Sequence, residues 1–248
     1  MTRRRIDLLL VEQGFFESRS LAIAAIKAGL VRIDGQIVDK PSRTVALEAA
    51  VTALRPFETV SRGGIKLAAG LDAFAISPQG RLCLDLGAST GGFSDCLLRR
   101  GASRVYAIDV GHGQMHPSLR EHPRLVSIEG LDARAITAFH VPEKVDMIVA
   151  DLSFIGLAKA LPAGLARLVP GGDLVALVKP QFEAGPGASK DGVIRDEALQ
   201  QAIIARVCIE IAGLGLDVLA QIPSPITGGD GNREALLHAR KPIETHAR

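Results

Sequence analysis

The stretch Leu82-Cys83-Leu84-Asp85-Leu86-Gly87-Ala88-Ser89-Thr90-Gly91-Gly92-Phe93 runs from an apolar strand through a glycine-rich turn into a helix that begins near Phe93. Gly87, Gly91 and Gly92 let the backbone take positive φ and approach a ligand closely, and Ser89 and Thr90 bring hydroxyls to the helix start. A second apolar strand, Arg104-Val105-Tyr106-Ala107-Ile108-Asp109, ends on a carboxylate. It lies about 20 residues further on, the spacing at which an acidic side chain reaches ribose hydroxyls. The two strands together predict a seat for a nucleotide-like cofactor.

The spacing of the glycines narrows the cofactor. A dinucleotide fingerprint requires G-x-G-x-x-G and a P-loop ends in Gly-Lys-Ser/Thr; the chain has neither. It has D-x-G-x-x-x-G-G-F from Asp85 to Phe93, which resembles the first motif of S-adenosylmethionine-dependent methyltransferases. Those enzymes bind an adenosine and an amino acid but no phosphate. An ordinary strand, turn and helix is the plainer alternative.

From Arg81 onward strands and helices alternate. Strands are expected near 81–86, 104–109, 124–128, 145–151, 173–179 and 215–222, and helices near 92–100, 156–168 and 197–213. This alternation predicts an α/β fold, a mostly parallel sheet covered on both faces, with the site at the carboxyl ends of the strands. Glu234 to His238 is expected to return antiparallel as an edge or near-edge strand, and residues 183–195 are glycine-rich enough for a mobile lid.

At 248 residues and 47% hydrophobic content the chain can bury one large domain and a small one. Charge is uneven: residues 1–66 hold eleven Lys/Arg against seven Asp/Glu, and the rest hold eighteen against twenty. A basic amino end suits a polyanion. Cys83, Cys96 and Cys208 form no C-x-x-C pair, which predicts a reduced compartment and no structural metal. Asp7 and Glu12 interrupt the apolar run after Arg3-Arg4-Arg5, so no export leader is read there. No stretch is apolar enough to span a membrane, and a cytoplasmic protein is expected.

Ile6, Leu9 and Leu10 with Gly14 suit a short helix. Ser18 suits the N-cap of a second helix, Arg19 to Ala28, closed by Gly29. Asp34-Gly35 between Leu30–Ile33 and Gln36–Val38 is a strong hairpin signal. The order R-I-D-L-L-L-V-E-Q-G, S-R-S-x-A and I-K-A-G-L-V-R-I-D-G resembles the S4 RNA-binding domain over about residues 4–50. That resemblance implies contact with structured RNA through phosphates and shape, by Arg3, Arg4, Arg5, Arg19, Lys27, Arg32, Lys40 and Arg43. The expected organisation is an S4-like domain over 1–54, a linker over 55–63 and a catalytic domain over 64–248.

Three strand ends in the large domain carry charge: Asp109, Asp151 and Lys179. A lysine closing a wholly apolar strand is partly desolvated, which favours the neutral amine and makes Lys179 a candidate base; snorkelling to solvent is the plainer alternative. Four segments are decisive: Ser61-Arg62-Gly63-Gly64-Ile65-Lys66-Leu67, Asp151-Leu152-Ser153-Phe154-Ile155, Leu177-Val178-Lys179-Pro180-Gln181-Phe182-Glu183, and Ser224-Pro225-Ile226 with Gly231-Asn232-Arg233-Glu234. They are similar to the signature segments of the hemolysin-A (TlyA) family, within the FtsJ-like ribosomal-RNA 2′-O-methyltransferases.

The resemblance implies a Rossmann-like class I methyltransferase sheet with an antiparallel last strand, and S-adenosylmethionine as cofactor. It implies a catalytic set of Lys66, Asp151, Lys179 and Glu234. Lys179 would orient and deprotonate the ribose hydroxyl, Lys66 would disfavour its charged form, and the carboxylates would hold both ammonium groups. Asp85 would help bind the cofactor, Gly87, Ser89, Thr90, Gly91, Gly92 and Phe93 would face its methionine end, Asp109 its ribose and Asp132 its adenine. Leu131 and Thr59 depart from the family pattern, which has Thr and an aromatic residue there.

The implied activity is methylation of cytidine 2′-hydroxyls in 16S or 23S ribosomal RNA, on assembled subunits. A non-catalytic ribosomal-RNA-binding factor and a hemolysin are the alternatives. With one Tyr, eight Phe and no Trp a stacking platform for long single strands is poorly supplied. Phe154 and Phe182 are read as core packing in preference to stacking on a turned-out target base.

Overall fold

Asp34 and Gly35 both adopt left-handed backbone (φ +51° and +78°), the geometry a two-residue Asp-Gly turn demands, and they join β2 (Val31–Ile33) to β3 (Gln36–Ile37). This hairpin belongs to the first of two compact units, Met1–Glu58 and Thr59–Arg248. The computed structural model describes residues 3–54, 58–185, 192–228 and 231–243. Residues 55–57 of the expected linker and 186–191 of the expected lid lie outside the described residues.

In the first unit β1 (Arg3–Arg5) leads into α1 (Ile6–Glu12), and α2 (Arg19–Lys27) starts at Ser18, whose side chain accepts from the Leu21 N–H. β4 (Thr44–Ala46) pairs antiparallel with β1, and β5 (Val51–Ala53) with β2. Ile6, Leu9, Leu10, Phe16, Ala22, Ile26, Val31 and Val38 are buried together between these elements. The triple arginine is therefore a strand with fixed partners. β1, β4 and β5 have three residues each, too few to show an alternation in sequence.

The second unit opens with α3 (Gly63–Ala73) and continues through β6 (Leu82–Leu86), α4 (Gly92–Arg99), β7 (Arg104–Asp109), α5 (Pro117–Arg120) and β8 (Leu125–Glu129). Then come β9 (Val145–Ala150), α6 (Leu157–Leu165), β10 (Leu168–Val178), α7 (Pro180–Glu183), α8 (Glu197–Gly213), β11 (Asp217–Pro223) and β12 (Ala235–Arg240). Seven strands form one sheet in the order β11-β12-β10-β9-β6-β7-β8. Alternate residues of its central strands enter separate cores. Leu84, Leu86, Ile148, Leu174 and Ala176 pack with α6 and α8, whereas Cys83, Met147, Val149, Val175 and Leu177 pack with α3 and α4.

From β6 the chain first builds outward through β7 and β8, then returns to the other side of β6 for β9 and β10, with β8, β7, β6, β9 and β10 mutually parallel. A ligand cleft is expected where the winding reverses, at the carboxyl ends of β6 and β9. β12 lies inside the sheet, antiparallel to both β10 and β11, so the near-edge position is the one realised. Because β12 runs backwards, its first residue pairs with the last of β10 (Ala235 with Val178), and Glu234 arrives at the end where Lys179 leaves the sheet.

A buried carboxylate at the opposite end fixes that register. Asp173 accepts from Arg81 at 2.6 Å, from Arg240 at 2.9 Å and lies 2.8 Å from His238 Nε2. Burial raises its pKa, yet the hydrogen bonds from His238, Arg81 and Arg240 outweigh burial and hold it well below the usual carboxylate range. β10, β12 and the approach to β6 are thereby tied at one point.

Candidate active site

The glycine turn after β6 closes on itself through Asp109. Ser89 has left-handed backbone (φ +46°), and its N–H donates to Asp109 Oδ2 at 2.8 Å, while Gly111 N–H donates to Oδ1 at 2.7 Å. Beneath the turn, Asp85 is buried with Oδ2 accepting from Ser94 Oγ at 2.7 Å and Oδ1 without a partner among the described residues. Burial, with Asp151 and Asp109 nearby, pushes its carboxyl up to about 7 against the hydrogen bonds from Ser94.

Above the turn lies a cleft of about 270 Å³ lined by Gly87, Ala88, Ser89, Thr90, Gly92 and Phe93, with Ser61, Arg62, Gly63, Lys66, Asp151, Ser153 and Lys179 completing the wall. A Cβ on Gly87 would stand 2.6 Å from the Asp151 carbonyl oxygen, and one on Gly92 would collide with Ser61 Oγ. The backbone is thus drawn as close to the cleft wall as glycine permits. The amino end of α4, where helix N–H groups lack intrahelical acceptors, opens on the same space.

Two lysines are held at this end of the sheet, each by its own carboxylate. Lys66, in the first turn of α3, donates to Glu234 Oε2 at 2.5 Å, with side chains 10% and 2% exposed. Lys179 Nζ lies 2.6 Å from Asp151 Oδ1 and donates to Ser153 Oγ at 3.0 Å, and it stands 5.7 Å from the Phe182 ring centre. The partners are 168 residues apart in the first pair.

Five residues of the expected set, Asp85, Gly91, Asp109, Asp132 and Glu234, stand outside the lining of this cleft. Asp132 caps its own turn by accepting from the Arg134 N–H at 2.9 Å and pairs with the Arg134 guanidinium at 2.6 Å, which lowers its pKa to about 2. Phe154 is not core: it is 89% exposed, has left-handed backbone (φ +66°), and its ring sits 4.9 Å from that of Phe182. Ser61, Arg62 and Ser153 also line the cleft. No role attaches to them from sequence, although each stands inside one of the motif segments.

In the first unit, Arg5 and Arg19 both reach the fully buried Asp7, at 3.0 and 2.9 Å, and Arg4 pairs with Glu12. The hydrogen bond from Arg5, opposed by burial and joined by that from Arg19, lowers the Asp7 pKa. Arg3 donates to the Thr44 carbonyl and Arg32 to that of Gly35. Lys27, Lys40 and Arg43 are exposed and stand outside the clusters around Asp7 and Glu12.

Residues 59–241 match the FtsJ-like methyltransferase family and residues 4–51 the S4 domain. The chain is 45% identical over 241 residues to the 16S/23S rRNA (cytidine-2′-O)-methyltransferase TlyA of Mycobacterium tuberculosis, covering 96% of this chain and 90% of that one. A solved structure described as a hemolysin from Streptococcus thermophilus is 37% identical, with a TM-score of 0.76 over all of this chain and 93% of its own. Aeropyrum pernix fibrillarin, solved with natively bound S-adenosyl-L-methionine, shares the fold at 20% identity, with a TM-score of 0.52 over 70% of this chain and 74% of its own. With an S4 domain ahead of an FtsJ-like domain and this identity over nearly its whole length, the chain belongs to the TlyA family of FtsJ-like methyltransferases.

Proposed function

We propose that the protein methylates the 2′-hydroxyl of cytidine in 16S or 23S ribosomal RNA, on assembled ribosomal subunits in the cytoplasm, with S-adenosylmethionine as donor. The observation that carries this reading is the placement of Lys66 and Lys179, each anchored on a carboxylate, beside the glycine turn. A ribose hydroxyl is a weak nucleophile, and an amine held at a desolvated strand end can orient it and accept its proton.

The residues present fit the cofactor. The cleft of about 270 Å³ over the glycine turn leaves room for an amino-acid moiety, the turn's glycines keep its backbone against that cleft without a Cβ, and the amino end of α4 favours a carboxylate. Asp109 is proposed to face the ribose and Asp132 the adenine. S-adenosylmethionine, when bound, supplies an electrophilic methyl group. Asp151 and Glu234 then act as orienters, and Phe154, held outward by its backbone, offers a face on which a turned-out base can stack. Neither a non-catalytic RNA-binding role nor a membrane-damaging one has an observation of its own in this cleft.

The test supplies purified protein and labelled S-adenosylmethionine to ribosomal subunits from cells lacking the gene, and maps ribose positions that resist alkali. Label is expected on a cytidine 2′-oxygen. Label on a base, or none, overturns the reading.

The first unit is proposed to hold the RNA. Arg4, Arg5 and Arg19 are occupied by carboxylates, so the phosphate contacts are expected to fall on Lys27, Lys40 and Arg43. Replacing those three with Gln is expected to weaken subunit binding and to flatten its salt dependence, by about 0.7–0.9 in log–log slope for each phosphate no longer neutralised. Arg5→Gln or Arg19→Gln is expected chiefly to lower the melting temperature by loosening buried Asp7. Filter binding across a salt series checks this, and an unchanged slope in the triple variant removes those residues from the interface.

A further inference from the structure

An amine on a flexible stem makes a poor base unless its rotation is fixed, because its lone pair must face the proton it takes. Lys179 Nζ has three positions beyond its carbon chain. Asp151 Oδ1 approaches at 2.6 Å as a charge contact that is not aligned as a hydrogen bond. Among the described residues, the aligned hydrogen bond from this nitrogen, at 3.0 Å, goes to Ser153 Oγ. We infer that Ser153 is a positioning residue: its hydroxyl fixes the rotation of the Lys179 amine so that the remaining position on nitrogen faces the cleft. This inference rests on the methyl-transfer reading above.

The local backbone makes Ser153 fit for the task. Ahead of it, the Asp151 N–H donates to the Leu86 carbonyl at 2.9 Å, which anchors the segment to β6. After it, Phe154 turns through left-handed backbone, and the first turn of α6 is tied down by Glu183, whose Oε1 accepts from the Leu157 N–H at 2.9 Å. Glu183 lies four residues beyond Lys179, on α7. The segment carrying Ser153 and the segment carrying Lys179 are therefore stapled together at buried Glu183, and the hydroxyl-to-amine distance does not depend on a free loop.

The choice of group also matters. A second carboxylate at this place would hold the proton on nitrogen by favouring the ammonium. A hydroxyl sets direction without adding charge, and it can accept from the amine both before and after proton transfer. In the reaction, the Lys179 lone pair takes the 2′-hydroxyl proton and the freed oxygen pair forms the bond to the methyl carbon. The carbon–sulfur pair stays with sulfur, so the amine becomes an ammonium as the sulfonium becomes a thioether.

The test compares wild type, Ser153→Ala, Ser153→Thr and Lys179→Ala as full-length proteins on unmodified ribosomal subunits. Ser153→Ala is expected to lower kcat by about ten- to thirtyfold, with KM for subunits and Kd for S-adenosylmethionine within about twofold of wild type. Ser153→Thr keeps the hydroxyl and is expected within about threefold of wild-type kcat. Wild-type kcat in Ser153→Ala, equal loss in Ser153→Ala and Ser153→Thr, or a loss confined to KM or Kd would overturn the positioning role. Absence of ribose methylation by wild type would overturn the parent reading instead. Transfer that disappears in Lys179→Ala but stays intact in Ser153→Ala overturns this inference alone.

Discussion

Lys179→Ala is expected to lower methyl transfer to the ribose by about a thousandfold, equivalent to about 4 kcal/mol of barrier, with S-adenosylmethionine affinity within about twofold of wild type. The loss belongs to the transition state because the proposed base is gone while the glycine cradle is untouched. Lys179→Arg is not expected to restore the rate, since a guanidinium does not give up its proton. Lys66→Ala provides the contrast. Its partner Glu234 has a side chain only 2% exposed, against 22% for Asp151, so truncation at 66 strands a buried charge at a cost of about 3–5 kcal/mol. Lys66→Ala is therefore expected to melt well below Lys179→Ala, although both lose activity. Single-turnover label incorporation, calorimetric titration with the cofactor and thermal melts separate the two effects. If Lys179→Ala retains more than about a tenth of the wild-type rate, the base must be sought elsewhere.

The glycine turn and the central strands are legible in sequence because their constraints are local. Leu82 to Leu86, a short apolar run closed by glycine, reads as a buried strand, and the turn that follows is written in three glycines within six residues. The hairpin at Asp34-Gly35 is equally plain. What sequence does not convey is set by partners remote in the chain. Arg3, Arg4 and Arg5 read in sequence as RNA contacts, but the strand β4 that pairs with them and the carboxylates of Asp7 and Glu12 that claim two of their charges are not visible there.

Four charged positions are visible as a motif set, but which lysine meets which carboxylate depends on β12 running backwards beside β10. Asp132, which the resemblance assigns to the adenine, also pairs with Arg134 two residues on, a contact that the resemblance does not convey. Phe154 misleads for a different reason. An aromatic residue after an apolar strand is ordinarily core, and only its left-handed backbone turns the ring outward.

Gly87→Ala is expected to abolish S-adenosylmethionine binding and to destabilise the protein by about 3–5 kcal/mol, a fall of about 10 °C in Tm. Two penalties combine there. The backbone sits at φ +81°, which costs an L-residue about 1–2 kcal/mol, and the new Cβ would stand 2.6 Å from the Asp151 carbonyl oxygen. That oxygen is main chain at the end of β9 and cannot swing aside, so relief requires moving Asp151 and, through it, Lys179. Gly92→Ala is the milder case. Its Cβ would collide with Ser61 Oγ, and a serine hydroxyl can rotate away, although the Gly64 N–H at 3.1 Å still crowds it. Gly80→Ala isolates the backbone penalty, because its φ of +72° faces open space; it is expected to cost only about 1–2 kcal/mol and to leave cofactor binding intact. Stability should fall in the order Gly80, Gly92, Gly87, and affinity should follow only in the last two. Should Gly87→Ala bind S-adenosylmethionine as tightly as Gly80→Ala does, the turn after β6 is not the seat of the cofactor, whatever the fold around it suggests.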